Sequence, residues 1–122
     1  MTFKFSNNST SKLDTCETKI KIVLEKALEL SSIDFGVSHG HRTPQEQKTL
    51  FEKGRTKPGS IVTYCDGYAK KSKHNASPSL AVDIYAFVDG KASWEAEHLS
   101  YIAGIILTVA KFYGIPLVWG GH

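Results

Sequence analysis

Residues 72–84, SKHNASPSLAVDI, constrain the fold more than any other stretch: a polar, proline-containing loop runs straight into alternating apolar positions. Leu80, Val82, Ile84 and Ala86 share one face of an extended chain, the pattern of a half-buried strand. Asp83 falls on the opposite face, outside the core, and the loop can fold back to bring His74 beside it. A neutral imidazole and a carboxylate are two of the three protein ligands that a catalytic zinc usually takes. They are also the partners of a local hydrogen bond that merely ties a loop to a strand. A His and an Asp nine residues apart leave both readings open.

The flanking sequence supplies the elements around that strand. Residues 1–13 are polar and read as a loose arm or short edge. Asp14 and Glu17 have the spacing of a capping box, and Ile20, Val23, Leu24, Ala27 and Leu28 then recur at helical intervals, so a helix is expected to end near Ser31 or Ser32. Ile33, Phe35 and Val37 alternate as a short strand that leads into Ser38-His39-Gly40-His41-Arg42. Thr43-Pro44-Gln45-Glu46 is a helix start with a cap, a proline where no amide proton is needed, and a return bond from Glu46. Gln47, Leu50 and Phe51 share a face of that helix, and Gly54 stops it.

Residues 55–73 form a long basic excursion with Pro58-Gly59, Ile61-Val62 and an Asp66-Gly67 turn; loops of this length tend to carry function. Asp89-Gly90 makes a turn, and Ser93 is expected to cap a further helix with Glu95 and Glu97 in its first turn. Its buried stripe is Leu99, Ile102, Ile106, Val109, Ala110 and Tyr113, and Gly114 with Pro116 ends it. Leu117, Val118 and Trp119 read as a last strand before Gly120-Gly121-His122. The predicted fold class is α+β, with three helices packed against a small, mainly antiparallel sheet. At 122 residues it is expected to be one domain spanning 1–122, and a monomer.

Charge and cysteine content narrow the classes of function. The formal charge is +3, and Lys48, Lys53, Arg55, Lys57, Lys70, Lys71 and Lys73 concentrate in the middle third. Such a field attracts anionic polymers, either nucleic acid or acidic cell-envelope material. No zinc finger, RNP-like strand or phosphate-binding glycine loop accompanies it, so a nucleic-acid binding module rests on charge alone. The longest apolar stretch, residues 101–112, is interrupted by Gly104, Thr108 and Lys111, so no membrane span is expected. The first residues hold no hydrophobic run of a secretion signal, which implies synthesis in the cytoplasm and action elsewhere only after release. Cys16 and Cys65 have neither zinc-knuckle nor redox spacing and are expected as free thiols.

Several side chains qualify for a site. His39 and His41 have strand-compatible ligand spacing, but structural or cleft-wall roles are the expectation. Arg42, one residue before a capped helix, is suited to clamp a carboxylate or stabilise an oxyanion; its plainer role is a salt bridge near the helix start. Gln47 reaches the same region one turn later, and a surface or core-edge position is expected for it. Asp66 belongs to its turn, Ser72 is expected to bond backbone and fix His74, and no nucleophile pattern surrounds it. Trp119 is expected in the core or lining the cleft, and His122 is terminal.

Ser72-Lys73-His74 with Ala81-Val82-Asp83, preceded by Gly40-His41-Arg42-Thr43 and followed by Trp119-Gly120-Gly121, resembles the zinc D,D-carboxypeptidase/L-alanyl-D-glutamate peptidase family. That family includes phage endolysins and VanY-type D-alanyl-D-alanine carboxypeptidases. The similarity covers about residues 33–122, and residues 53–59 and 75–79 look most like the endolysin branch. The resemblance implies Zn2+ as cofactor, His74 and Asp83 as metal ligands, and Arg42 as the group that stabilises developing negative charge. It implies hydrolysis of peptidoglycan stem peptides at the L-alanyl-D-glutamate bond, with a D-alanyl-D-alanine bond as the alternative. The family's third ligand, a histidine in a Pro-His pair after Trp-Gly-Gly, and its acidic base have no counterpart in these 122 residues. The expectation is therefore a chain cut short at its C-terminus and impaired in this form.

Overall fold

A computed structural model describes residues 3–56, 65–68 and 73–119. Its elements run α1 (Asn7–Leu13), α2 (Thr18–Leu30), β1 (Asp34–His39), α3 (Pro44–Glu52), a short 3-10 turn at Lys73–Asn75, β2 (Asp83–Val88), β3 (Lys91–Ser93) and α4 (Ala96–Phe112). The three strands form one antiparallel sheet in the order β1-β2-β3. The α+β class is as expected, with one more helix than the apolar pattern suggests.

That extra helix lies in the polar N-terminal stretch. Ser6 caps α1 by accepting from the Ser9 N–H, and only Ser9 and Leu13 of the helix are buried, too few for a periodic signal. Asp14 consequently ends α1 instead of capping the next helix, and its carboxylate pairs with Lys21 at 2.7 Å. Helix α2 begins after Glu17 with no side-chain cap and ends at Ser31. Ser9 has a second use: its hydroxyl accepts the Val37 N–H at 3.1 Å. Helix α1 thus satisfies a group of β1 that no neighbouring strand pairs.

The core sits between the sheet and the pair α2–α4. Ile20, Val23, Leu24, Ala27 and Leu28 of α2 meet Leu99, Ile102, Ile106, Val109 and Ala110 of α4, with Phe35, Val37 and Ala86 closing the sheet side. The register pairs Phe35 with Ala86 and Val37 with Ile84 on the core face, but the strand begins only at Asp83, and Leu80, expected on that face, is 51% exposed. Tyr113 departs from the expected stripe: it is the C-cap of α4 and 45% exposed. Gly114 follows at φ 70°, its N–H bonding Lys111 O and that of Ile115 bonding Ala110 O, a Schellman ending.

Two further expectations change. Ser93 lies in β3, while its hydroxyl accepts from the Glu95 N–H one residue ahead of α4. The hairpin that creates β3 turns on Asp89 and Gly90, at φ 52° and 77°, the left-handed pair that a two-residue hairpin turn requires. Residues 117–119 form no strand, and Val118 is 91% exposed.

Candidate functional site

Three segments converge at one end of the sheet. The first is the end of β1, where the pairing slips between Val37 and His39 so that His39 stands opposite Asp83. A one-residue bulge of this kind re-aims a side chain, and it sets His39 Nδ1 3.6 Å from Asp83 Oδ2. The second is the connection 40–43, and the third is the loop that carries His74.

The second and third segments are laced together. Arg42 N–H donates to His74 O at 2.8 Å, and Asn75 Nδ2 donates to Arg42 O at 2.8 Å. His41 Nδ1 contacts Ala76 O at 2.9 Å. The loop is tied in turn to the α1–α2 corner, where Ser79 N–H donates to Thr15 O and Glu17 N–H to Ser79 O. Gly40 is pressed against that same corner. A Cβ there would collide with Lys12 O and Thr15 Oγ1 and lie 3.0 Å from Cys16 Sγ.

This lacing sets the chemistry of His74. The side chain is buried, and its Nδ1 lies 2.6 Å from Gly40 O, which can only accept, so Nδ1 carries the proton. In the neutral ring Nε2 therefore presents a lone pair, and it faces Asp83 Oδ1 at 3.4 Å. Two acceptors at that separation need a proton or a cation between them. Zinc bonds of about 2.0–2.1 Å at a tetrahedral angle put two ligand atoms roughly 3.3 Å apart. The donor pair fits a metal ion as well as it fits an imidazolium–carboxylate contact.

The other carboxylate oxygen is held from behind. Arg42 Nη2 donates to Asp83 Oδ2 at 2.6 Å, and Arg42 Nη1 donates to Gln47 Oε1 at 3.0 Å. The Arg42 side chain is only 14% exposed, and its Nε is buried with no partner among the described residues. Burial alone would raise the Asp83 carboxyl. With the imidazoles charged, the hydrogen bond and charge of His74, and the charges of Arg42 and His39, outweigh it and hold the group below the usual carboxylate range. His39 is pushed down by partial burial and then by the Arg42 charge, against the pull of Asp83.

A cleft of about 910 Å³ borders this group, and His39, His74 and Asp83 line it together with Trp94, Leu99, Ile106 and Trp119. Arg42 is not on those walls; it reaches the site through Asp83. The sequence brings His74, Asp83 and Arg42 together as candidates, and the structure places all three within one hydrogen-bonded group. Gln47, expected at the surface or core edge, is instead fully buried behind Arg42. Cys16, a free thiol, is buried and Cys65 is half-buried. Ser72 and His122 lie outside the described residues.

The described residues also hold a cluster able to bind a metal that the sequence reading does not single out. Ligand atoms of Glu95, Glu97 and His98 lie within 4.8 Å of one another. These side chains stand at the start of α4, with His98 Nδ1 2.9 Å from Ser93 Oγ and 3.6 Å from Glu95 Oε2. Both glutamates are exposed, a favourable place for negative charge at a helix N-terminus without any ion. The His74–Asp83 pair is buried deeper, is braced by its neighbours, and faces the cleft.

Comparison with known proteins identifies the relatives of this chain. The family model for phage L-alanyl-D-glutamate peptidases matches residues 1–122. The chain is 35% identical over 104 residues to the peptidoglycan L-alanyl-D-glutamate endopeptidase CwlK of Bacillus subtilis (strain 168), covering 80% of this chain and 59% of that protein. It is 32% identical over 121 residues to the L-alanyl-D-glutamate peptidase of Escherichia phage T5, covering 98% of this chain and 81% of that one. The crystal structure of the Serratia marcescens L-Ala D-Glu endopeptidase ChiX matches with a TM-score of 0.77 at 28% identity, over 98% of this chain and 80% of that chain. The chain therefore spans about three fifths of the Bacillus relative and about four fifths of the other two.

Proposed function

Because this chain belongs to the phage L-alanyl-D-glutamate peptidase family, we propose that it hydrolyses the L-alanyl-D-glutamate amide bond of peptidoglycan stem peptides with a zinc ion held by His74 and Asp83. The observation that carries this reading is the facing of His74 Nε2 and Asp83 Oδ1 at 3.4 Å in the lining of the cleft.

Each residue has a part that follows from its surroundings. Gly40 O fixes the His74 tautomer, so the nitrogen turned to the cleft is the one with a lone pair. Arg42 occupies Oδ2 of Asp83 and leaves Oδ1 for the ion. A zinc ion held there supplies Lewis-acid polarisation of the scissile carbonyl and a water acidic enough to ionise near neutral pH. Arg42 adds a full positive charge one hydrogen bond behind the site, suited to the negative charge that grows on the substrate oxygen. The cleft walls, Trp94, Leu99, Ile106 and Trp119, exclude water from the apolar parts of a bound stem peptide. His39, 56% exposed, offers a hydrogen bond to the polar backbone of that peptide.

The test is digestion of purified muropeptides with added zinc, followed by mass. The expected product separates L-alanine from the D-glutamate that follows it, and His74→Ala abolishes it. Release of terminal D-alanine alone would assign the D-alanyl-D-alanine carboxypeptidase activity instead. Intact muropeptide would overturn the peptidase reading.

A further inference from the structure

We propose that Gln47 is the positioning residue of the site: it sets the plane of the Arg42 guanidinium and ties it to the turn at 65–67. The inference concerns how the proposed peptidase centre is held, and to that extent rests on that reading. Helix α3 carries two large apolar residues on the same side, Leu50 and Phe51, and both stay half-buried. The residue it buries completely is the amide, with no exposed surface at all. Burying an amide costs free energy unless both its ends are bonded. Here both are: Oε1 accepts from Arg42 Nη1 at 3.0 Å, and Nε2 donates to Cys65 O at 2.9 Å.

The local backbone is built around this contact. Thr43 and Glu46 form a reciprocal capping box that fixes the first turn of α3 one residue after Arg42. Gly67, at φ 88°, lets the 65–67 turn approach so closely that a Cβ there would lie 2.7 Å from Pro44 O and 3.0 Å from Gln47 Cβ. The Cys65 carbonyl is thereby brought onto the amide. Arg42 is then gripped at two points, Nη1 by Gln47 and Nη2 by Asp83. Two contacts define the plane of a guanidinium, whereas one leaves it free to turn about that contact. An apolar residue of equal size at position 47 would fill the space and leave Arg42 Nη1 without this acceptor.

The proposal is tested with Gln47→Met, which keeps the volume, and Gln47→Glu, which keeps an acceptor for Arg42 but sets a second acceptor against Cys65 O. Gln47→Met is expected to lower kcat/KM for muropeptide by about 10–100-fold, chiefly in kcat, as for other lost outer partners of a metal site. Gln47→Glu is expected to retain more activity than Gln47→Met although it is the less stable protein. In an Arg42→Ala background the further loss from Gln47→Met should fall below about twofold, because the residue acts through the one already removed. Undiminished loss in that background would show that Gln47 only supports the fold, and would overturn the proposal. A readout independent of turnover separates this from the peptidase reading. In the intact protein the Arg42 Nη protons are expected as distinct, slowly exchanging NMR signals, identified by their absence in Arg42→Lys, and they should merge in Gln47→Met. Merging without any muropeptide cleavage by wild type would refute the peptidase reading and support the clamp. Cleavage with Nη signals unchanged by Gln47→Met would refute the clamp alone.

Discussion

Replacement of Gly40 by alanine probes how the site is held more sharply than removal of a candidate ligand. The added Cβ would meet Lys12 O, a backbone atom, and Thr15 Oγ1. That hydroxyl cannot retreat, because it donates to Lys12 O at 2.6 Å and accepts from the His41 N–H at 2.8 Å. Relief must come from the connection 40–42 lifting off the α1–α2 corner. Overpacking of this kind costs roughly 1–3 kcal/mol and the broken His41–Thr15 hydrogen bond about 1 more, so the expected destabilisation is about 2–4 kcal/mol. For a domain this size that is a fall in Tm of roughly 8–16 °C, read by far-UV circular dichroism. The same movement carries away the carbonyl that fixes the His74 tautomer, so zinc affinity should fall by about 10–100-fold in the protein that still folds. Gly104→Ala is the control: nothing lies within 4 Å of its would-be Cβ on helix α4, and the substitution should raise stability by about 1 kcal/mol. A Gly40→Ala protein that melts within about 2 °C of wild type would refute the argument that this corner holds the site.

Other consequences are open to equally simple measurements. Ser9→Ala leaves the buried Val37 N–H without its acceptor and should cost about 1–3 kcal/mol in urea unfolding; an unchanged midpoint would mean that α1 does not seal the edge of β1. Glu46 is held below the usual carboxylate range by its bond to the Thr43 N–H, so its contribution is fully present above the unfolded value near about 4.3 and is lost as pH falls through the lower folded value. Glu46→Gln should flatten that part of the acid-stability profile, and an identical profile would exclude the carboxylate as its source. Asp89→Val forces a β-branched residue into the left-handed region at φ 52° and should destabilise by about 1–3 kcal/mol in thermal melting, whereas Asp89→Asn should be nearly neutral.

What the sequence reveals about this fold is what is encoded locally. Thr43, Pro44 and Glu46 lie within four positions, and their capping box appears as read. The alternation of Phe35, Val37, Ile84 and Ala86 marks the core face because the two strands pair in register along it. The His74–Asp83 approach is legible because loop and strand are contiguous in the chain. Asp14 misleads for the opposite reason: its spacing to Glu17 suits a cap, but a helix too short to show a period ends there first. The turning of His39 toward Asp83 depends on a bulge, which no residue type in 37–39 announces. Gln47 is hidden because its burial is decided by an arginine five residues back and a carbonyl eighteen residues on. A glutamine reads as surface until its partners are known.

Zinc titration by calorimetry tells whether His74 and Asp83 hold the metal ion. Wild-type protein stripped of metal should bind one zinc ion, and His74→Ala or Asp83→Asn should each weaken that binding by at least the 10–100-fold typical of a lost outer partner. The combined variant Glu95→Gln, Glu97→Gln, His98→Gln should bind as wild type does, since that cluster stands at a helix start with both its glutamates exposed. Zinc binding that survives His74→Ala and Asp83→Asn but disappears in the triple variant would contradict the assignment.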